Sequence, residues 1–120
     1  MQRHAITFRV KAESVDAVRE LLANYEPPEW TAPDGTRLLG TSIFLKGDTV
    51  VRVMDIEGSL PSVMAHLAQQ PSIQALERAL DPHLAEPRDL STPEGARAFF
   101  GAAMMEHVTT RVATFAAVDR

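Results

Sequence analysis

The sequence contains no cysteine among its 120 residues. This absence excludes disulfide bonds, cysteine nucleophiles and thiolate metal sites within the chain. The four histidines are far apart, and no two have the i, i+4 spacing of zinc-binding helices. We therefore expect no metal site, and chemistry must come from histidine, carboxylate, arginine, tryptophan or hydroxyl groups.

Long apolar runs, a basic excess and glycine-rich phosphate loops are also missing. No apolar run approaches the roughly 20 residues that span a bilayer, and we recognise no signal segment, so we expect a cytoplasmic protein without a membrane partner. The net charge of −4, with acidic and basic residues interleaved, argues against nucleic acid as a partner. Without a phosphate-binding loop, no nicotinamide or flavin cofactor is indicated, and we expect none.

The residues that are present indicate one packed domain. Hydrophobic residues make up 45% of the chain, which is enough for a single core at this length, and we assign residues 1–120 to one domain. Residues 4–10 alternate between apolar and polar and predict a first strand. Ser14 is suited to cap a following helix, whose apolar stripe extends to Tyr25. Residues 28–36 have no apolar period and predict an ordered loop.

A hairpin is predicted in the middle of the chain. Two runs rich in β-branched residues, 38–46 and 49–57, are separated only by Gly47 and Asp48. A two-residue loop with glycine first is typical of a type II′ turn, which pairs Lys46 with Thr49. Both hairpin faces are then largely apolar. One face carries Ile43, Leu45, Val50, Arg52 and Met54, and the other carries Ser42, Phe44, Val51, Val53 and Asp55.

Helices are predicted in the second half of the chain. Ser59 and Thr92 are suited to cap two of them, the later one with Pro93 at its first position. A short helix ending near Leu80 is predicted between them. Residues 105–115 alternate again, which we interpret as the last strand, although the alanine-rich flanks are also compatible with a helix.

This order of elements predicts an α+β fold with a ferredoxin-like split βαβ arrangement and extra helices. Helices cover one face of such a sheet. The apolar character of the other hairpin face indicates a second cover, and we expect the sheet of a second copy to supply it. The predicted architecture is therefore a homodimer, a dimeric α+β barrel.

Four segments resemble a known protein family. They are Pro28-Glu29-Trp30, the hairpin from Phe44 to Val53, the run from Ala79 to Leu84, and the run from Glu86 to Phe100. The sequence is similar to the SchA/CurD-like family, which is encoded in spore-pigment and other aromatic (type II) polyketide clusters. More loosely, the order of elements resembles tetracenomycin-type polyketide cyclases and anthrone monooxygenases, both dimeric α+β barrels. The resemblance implies pathway and fold, and no catalytic motif is carried over with it.

Three residues are candidates for catalysis. If the last strand pairs with the first, His4 and His107 lie on neighbouring strands, and Arg52 lies on the third. A neutral imidazole is suited to accept a proton from an activated carbon, and a guanidinium is suited to hold an enolate oxygen. The alternative is that His4 and Arg52 lie at exposed strand ends or face solvent.

Five further residues are candidates for substrate binding. Trp30, the only tryptophan, is suited either to stack on an aromatic substrate or to close the end of the core. Met54 fits the core or a pocket wall, and His66 fits a pocket or the surface. His83 and the neighbouring Arg88 and Asp89 fit either the rim of a site or an ion pair that fixes this irregular segment, and we favour the ion pair.

Three functions are compatible with these features. The leading one is a polyketide cyclase that directs intramolecular aldol cyclisation and aromatisation of a poly-β-ketone, a hydrophobic intermediate that an acyl carrier protein is suited to present. The second is a cofactor-independent, anthrone-type monooxygenase. The third is a non-catalytic protein that binds and escorts a polyketide intermediate.

Overall fold

The computed structural model describes residues 1–115. Three strands form one antiparallel sheet, namely β1 (Gln2–Arg9), β2 (Arg37–Lys46) and β3 (Thr49–Glu57), in the order β1-β3-β2. The central strand is therefore β3, the second strand of the hairpin. This order is the one expected for a ferredoxin-like arrangement, in which β1 pairs with β3 rather than with its sequence neighbour.

The predicted hairpin register is confirmed, with Lys46 opposite Thr49. Gly47 has a φ of 60°, and no non-glycine residue in the described range has positive φ, which agrees with a type II′ turn. A bulge between Leu38 and Gly40 interrupts the pairing near the start of β2. It leaves Leu39 exposed.

Within the described residues, four α-helices accompany the sheet: α1 (Val15–Asn24), α2 (Leu60–Ala68), α3 (Pro71–Leu80) and α4 (Pro93–Ala103). Ser59 and Thr92 cap α2 and α4 as predicted, because their hydroxyls accept from the Ser62 and Gly95 amides. Ser14 precedes α1 but makes no side-chain cap, since its buried hydroxyl bonds the ring of His83 instead. Among residues 1–115, no helix is long and apolar enough to cross a membrane.

The hydrophobic core lies between one face of the sheet and the helices. Val50 and Ile56 of β3 are fully buried on this face. One cluster joins Val50 to residues of α1 and α3, and a second joins Ile56 to Val63 of α2. Met54 packs beside the second cluster. The strand alternation thus directs the even-numbered residues of β3 toward the helices.

The opposite face of the sheet carries no helix in the described part of the chain. Phe44 lies on it and is 60% exposed. The Arg3–Asp55 ion pair on the same face is also exposed. Val51 and Val53 lie between these groups and are partly buried. Both hairpin faces are therefore apolar, as the sequence predicted, and residues 1–115 cover only one of them.

The predicted last strand does not form within residues 105–115, and this part of the prediction was wrong. Only Met104 forms a bridge, to Ile6 of β1, and the Met105 amide donates to the Ala5 carbonyl. Beyond that point the segment leaves the sheet edge, and Val108 is 83% exposed. Alternation is a local property, whereas a strand requires a neighbour to pair with. The assignment of residues 1–120 to one domain stays a prediction, and its last five residues lie outside the described range.

Candidate functional site

A cavity of about 520 Å³ lies between the helix-facing side of the sheet and helices α2, α3 and α4. This volume falls within the roughly 300–1,000 Å³ typical of small-molecule sites. Its walls are mostly apolar, because one set of strand residues and the inner stripes of the helices meet there. Representative apolar lining residues are Ile6, Ile43, Met54, Met64, Leu67 and Phe100.

A network of four charged side chains forms the polar wall of the cavity. Arg52 Nη1 donates to Glu77 Oε1 at 2.7 Å, and Arg88 Nη2 donates to Glu77 Oε2 at 2.8 Å. Arg88 Nε also donates to Asp81 Oδ1 at 2.8 Å. Each carboxylate oxygen of Glu77 therefore binds a different guanidinium, which fixes both arginines relative to α3.

Arg88 is the most buried member of this network. Its side chain is only 2% exposed, and its guanidinium carbon lies 4.5 Å from the centroid of the Phe99 ring. Nη1 of Arg88 has no hydrogen-bond partner among residues 1–115. The ring face compensates part of the buried positive charge by a cation–π contact. Arg88 thus joins the segment before α4 to α3.

The network determines the charge state of Glu77. Burial by itself raises the pKa of this carboxyl, but the charges and hydrogen bonds of Arg52 and Arg88 outweigh burial and lower the pKa below its usual value. Glu77 is therefore ionised at neutral pH with both oxygens occupied. It is suited to holding Arg52 in place rather than to accepting a proton from a ligand.

Arg52 and His4 present charged or ionisable groups of the sheet to the cavity, beside Thr41 of β2. Arg52 uses Nη1 for Glu77, which leaves Nε and Nη2 without a partner among residues 1–115. His4 lies opposite Met54, whereas Arg52 lies opposite Ile6, so the two residues are diagonal neighbours on one face. Such neighbours are about 7–8 Å apart. One ligand can therefore contact both.

The structure brings four of the eight predicted site residues to this cavity. His4, Arg52, Met54 and Arg88 all line it. The alternative that His4 and Arg52 face solvent at strand ends is not observed, since both strands direct these side chains toward the helices. Arg88 forms ion pairs with Glu77 and Asp81, and not with its sequence neighbour Asp89.

The other four predicted residues do not line the cavity. Trp30 is 45% exposed on the loop before β2. The ring of His66 donates to the Glu29 carbonyl at 2.8 Å, which ties that loop to α2. His83 bonds Ser14, as described above. His107 is exposed on the segment after Met104 and bonds Thr110 at 2.7 Å, because the strand expected to carry it toward β1 does not form.

Residues 1–113 match the sequence model of a protein family, the SchA/CurD like domain. The chain belongs to the SchA/CurD-like family. The resemblance noted in the sequence is therefore confirmed over almost the whole described range.

One relative in this family is the polyketide synthase CurD of Streptomyces cyaneus, which is 48% identical over 106 residues. The match covers 88% of this chain and 29% of that protein. The SchA/CurD-like chain spans less than a third of the length of the curated relatives it matches. The activity of those whole proteins is therefore not transferred by the match.

Solved structures confirm the fold. The tetracenomycin F2 cyclase of Streptomyces glaucescens, a type-II polyketide cyclase, superposes with a TM-score of 0.61 and 13% identity over 95% of this chain and 100% of that one. A protein of Chloroflexus aurantiacus assigned as an antibiotic biosynthesis monooxygenase superposes with a TM-score of 0.53 and 18% identity over 95% of each chain. At these identities the likeness establishes the α+β fold alone.

Glu77 is the main site residue of this SchA/CurD-like domain that the sequence reasoning missed. It lies in α3 four residues after Ile73 and three before Leu80, so it falls on the apolar stripe of that helix. A carboxylate at a core position needs a buried cationic partner, so the place of Glu77 on an apolar stripe was the signal that could have identified it. Its partner Arg52 was predicted separately. No group of three or more potential metal-ligating residues is found within residues 1–115.

Proposed function

We propose that this domain is a polyketide cyclase that directs intramolecular aldol cyclisation and aromatisation of a poly-β-ketone. The observation that carries the proposal is the position of His4 and Arg52 as diagonal neighbours on one wall of a mostly apolar cavity. The family membership and the cyclase named among the fold neighbours support it. The cavity volume of about 520 Å³ lies in the range of small-molecule sites.

The proposed reaction uses one proton acceptor and one fixed cation. The His4 imidazole takes a proton from a methylene between two ketones, and the electron pair of that C–H bond becomes an enolate. Arg52 donates from Nε or Nη2 to the enolate oxygen and stabilises its charge. The enolate carbon attacks a second carbonyl of the same chain, and the resulting alkoxide takes the proton back from the imidazolium. Loss of water from the aldol then leads to an aromatic ring.

The apolar walls contribute by orientation. A poly-β-ketone has several acidic methylenes and several carbonyls, so many cyclisations compete in water. A cavity can bring one methylene to His4 and hold one carbonyl within bonding distance of that methylene carbon. One cyclisation is then favoured over the others as a unimolecular reaction. The walls that select the fold of the chain are formed by Met54, Met64 and Phe100.

A cofactor-independent monooxygenase is the second candidate. The fold neighbour assigned as an antibiotic biosynthesis monooxygenase favours it, and Arg52 is equally suited to stabilise a deprotonated anthrone. In that reaction the anthrone anion, not the protein, would be the reductant of molecular oxygen. Escort of an intermediate without chemistry is the third candidate.

Reconstitution of a minimal aromatic polyketide synthase with and without this protein tests the three candidates. Products are followed by mass spectrometry and oxygen by electrode. A new cyclised product at unchanged oxidation level supports the cyclase. A product that gains oxygen, with matching oxygen uptake, supports the monooxygenase instead. An unchanged product distribution rejects both and leaves the escort function, for which saturable binding of the intermediate is the measurement.

We also propose that the domain acts as a homodimer. Phe44 is largely exposed on a sheet face that no described helix covers, and Val51 and Val53 lie on the same face. Residues 105–115 extend from the sheet edge, with Val108 and Val112 exposed. An uncovered apolar face and an unpaired apolar segment in one small domain are typical of a self-association surface.

A further inference from the structure

Gln2 contacts both the candidate base and the backbone at the start of α2. Its amide Nε2 donates to the Gly58 carbonyl at 2.9 Å, and its Oε1 lies 3.0 Å from His4 Nε2. A backbone carbonyl accepts hydrogen bonds and does not donate them. The amide nitrogen of Gln2 must therefore face Gly58, and its carbonyl oxygen must face His4.

This orientation determines which ring nitrogen of His4 carries the proton. Because Oε1 of Gln2 only accepts, His4 Nε2 must be the donor in their hydrogen bond. In the neutral ring, Nδ1 then holds the lone pair. Among residues 1–115, no group forms a hydrogen bond with Nδ1, so the lone pair is not occupied by the protein.

The acceptor at Gly58 is itself fixed. The Gly58 backbone packs so closely on Thr36 that an added Cβ would lie 2.8 Å from Thr36 Oγ1. The amide of Ser59, the next residue, also points to that hydroxyl, at 3.4 Å. Gln2 is therefore anchored to a closely packed junction between the loop before β2 and the start of α2.

We propose that Gln2 is a positioning residue that holds His4 in the Nε2–H tautomer, so that Nδ1 is the atom that accepts the substrate proton. The use of Nδ1 rests on the proposed function, whereas the tautomer does not. When Nδ1 takes the proton from the methylene carbon, the ring becomes a cation with both nitrogens protonated. The hydrogen bond from Nε2 to Gln2 Oε1 is kept and becomes stronger, because the donor is now charged. The same proton leaves from Nδ1 to the alkoxide.

None of the charged groups around the cavity forms a hydrogen bond with the His4 ring within residues 1–115. Three arginines and three carboxylates line the same cavity as His4, on β3, on α3 and in the segment between α3 and α4. They are Arg52, Glu77, Arg78, Asp81, Arg88 and Asp89. Gln2 is the residue that bonds the His4 ring directly.

Nitrogen-15 NMR of protein labelled at histidine tests the tautomer without any substrate. The resonances of His4 are assigned by their loss in His4→Gln, and the wild type is compared with Gln2→Met, which keeps the side-chain length but cannot accept from the ring. Gln69→Met, an exposed glutamine outside the cavity, is the matched control. We expect the Nε2–H tautomer in the wild type and in the control, and a mixture of tautomers in Gln2→Met. A wild-type Nδ1–H tautomer, or an unchanged spectrum in Gln2→Met, would overturn the proposal.

Turnover separates this proposal from the proposed function. In the reconstituted synthase, Gln2→Met is expected to lower kcat about tenfold with little change in KM, because the hydrogen bond strengthens as the ring becomes charged. If the tautomer changes as expected but the wild type forms no product, the proposed function fails and the tautomer assignment stands. If the wild type is active and kcat of Gln2→Met is unchanged, Gln2 has no positioning function in catalysis.

Discussion

Arg52 on the central strand and Glu77 on α3 are joined by an ion pair of 2.7 Å at the wall of the cavity. Their side chains are only 18% and 11% exposed. The pair holds the Arg52 guanidinium beside the cavity. Arg88 binds the other carboxylate oxygen of Glu77. Buried charges of this kind require one another, since removing one member leaves the others uncompensated.

Replacement of Glu77 therefore lowers stability. For Glu77→Ala we expect a loss of about 3 kcal/mol in the free energy of unfolding at pH 7, because Arg52 loses its buried partner and Arg88 keeps Asp81 as its only carboxylate partner. Urea unfolding followed by circular dichroism measures the loss. Glu94→Ala, which removes an exposed carboxylate paired with Arg97 at 3.7 Å, is the control and is expected to change stability by less than about 1 kcal/mol.

The contribution of Glu77 depends on pH in a defined direction. Its pKa is lowered in the folded state, so its ionised form stabilises the protein fully above the pKa of the unfolded chain, near 4.5. The contribution is lost as the pH falls through the folded value. The stability difference between the wild type and Glu77→Gln should thus be largest near neutral pH and shrink below pH 4.5. A difference that grows on acidification would contradict the lowered pKa.

Arg52→Met tests the proposed oxyanion contact. The variant removes both free donors and keeps the aliphatic length of the side chain, while Glu77 retains Arg88. We expect kcat/KM for cyclised product to fall about 10²–10³-fold, the range for loss of one such donor. Arg37→Met, which removes an exposed arginine paired with Glu57, should leave turnover unchanged. Circular dichroism must confirm that both variants fold, and full activity of folded Arg52→Met would reject the proposed contact.

Phe44→Glu tests the proposed dimer. A charge on the uncovered sheet face should prevent close packing of a second copy, since an unpaired buried charge is costly. Analytical ultracentrifugation should then give a dimer for the wild type and a monomer for the variant. Glu20→Lys, a charge change in α1, should remain dimeric. A monomeric wild type at all concentrations would reject the dimer outright.

Gly95→Ala tests the close approach that shapes the segment before α4. A Cβ at this position would collide with the carbonyl group of Asp89, so the start of the helix must move. We expect a loss of about 1–3 kcal/mol, as for other overpacking changes. Gly101→Ala in the same helix meets nothing within 4 Å and should stabilise by up to about 1 kcal/mol. Thermal unfolding of both variants gives the comparison, and equal effects would contradict the steric argument.

Part of the site could be predicted because it depends on local patterns. The two-residue turn at Gly47 fixed the register of the hairpin, and the register fixed which side chains share a face with Arg52. The position of His4 on the same face followed from alternation in β1. Glu77 could have been found in the same way, since helical spacing puts it on an apolar stripe.

The remaining features were decided by contacts between residues distant in sequence. Local periodicity places a side chain on a face but does not name its partner, so the binding of Glu77 by two arginines and the bond of Gln2 to His4 required the folded chain. The separation of His107 from the cavity has the same origin, because residues 105–115 alternate like a strand and yet find no strand to pair with in the described structure. The sequence by itself thus determined the first three strands, the helices, the order of these elements and the inward face. Tertiary structure decided which charges meet and where the sheet ends, because pairing energies come from neighbours that a periodic pattern does not specify.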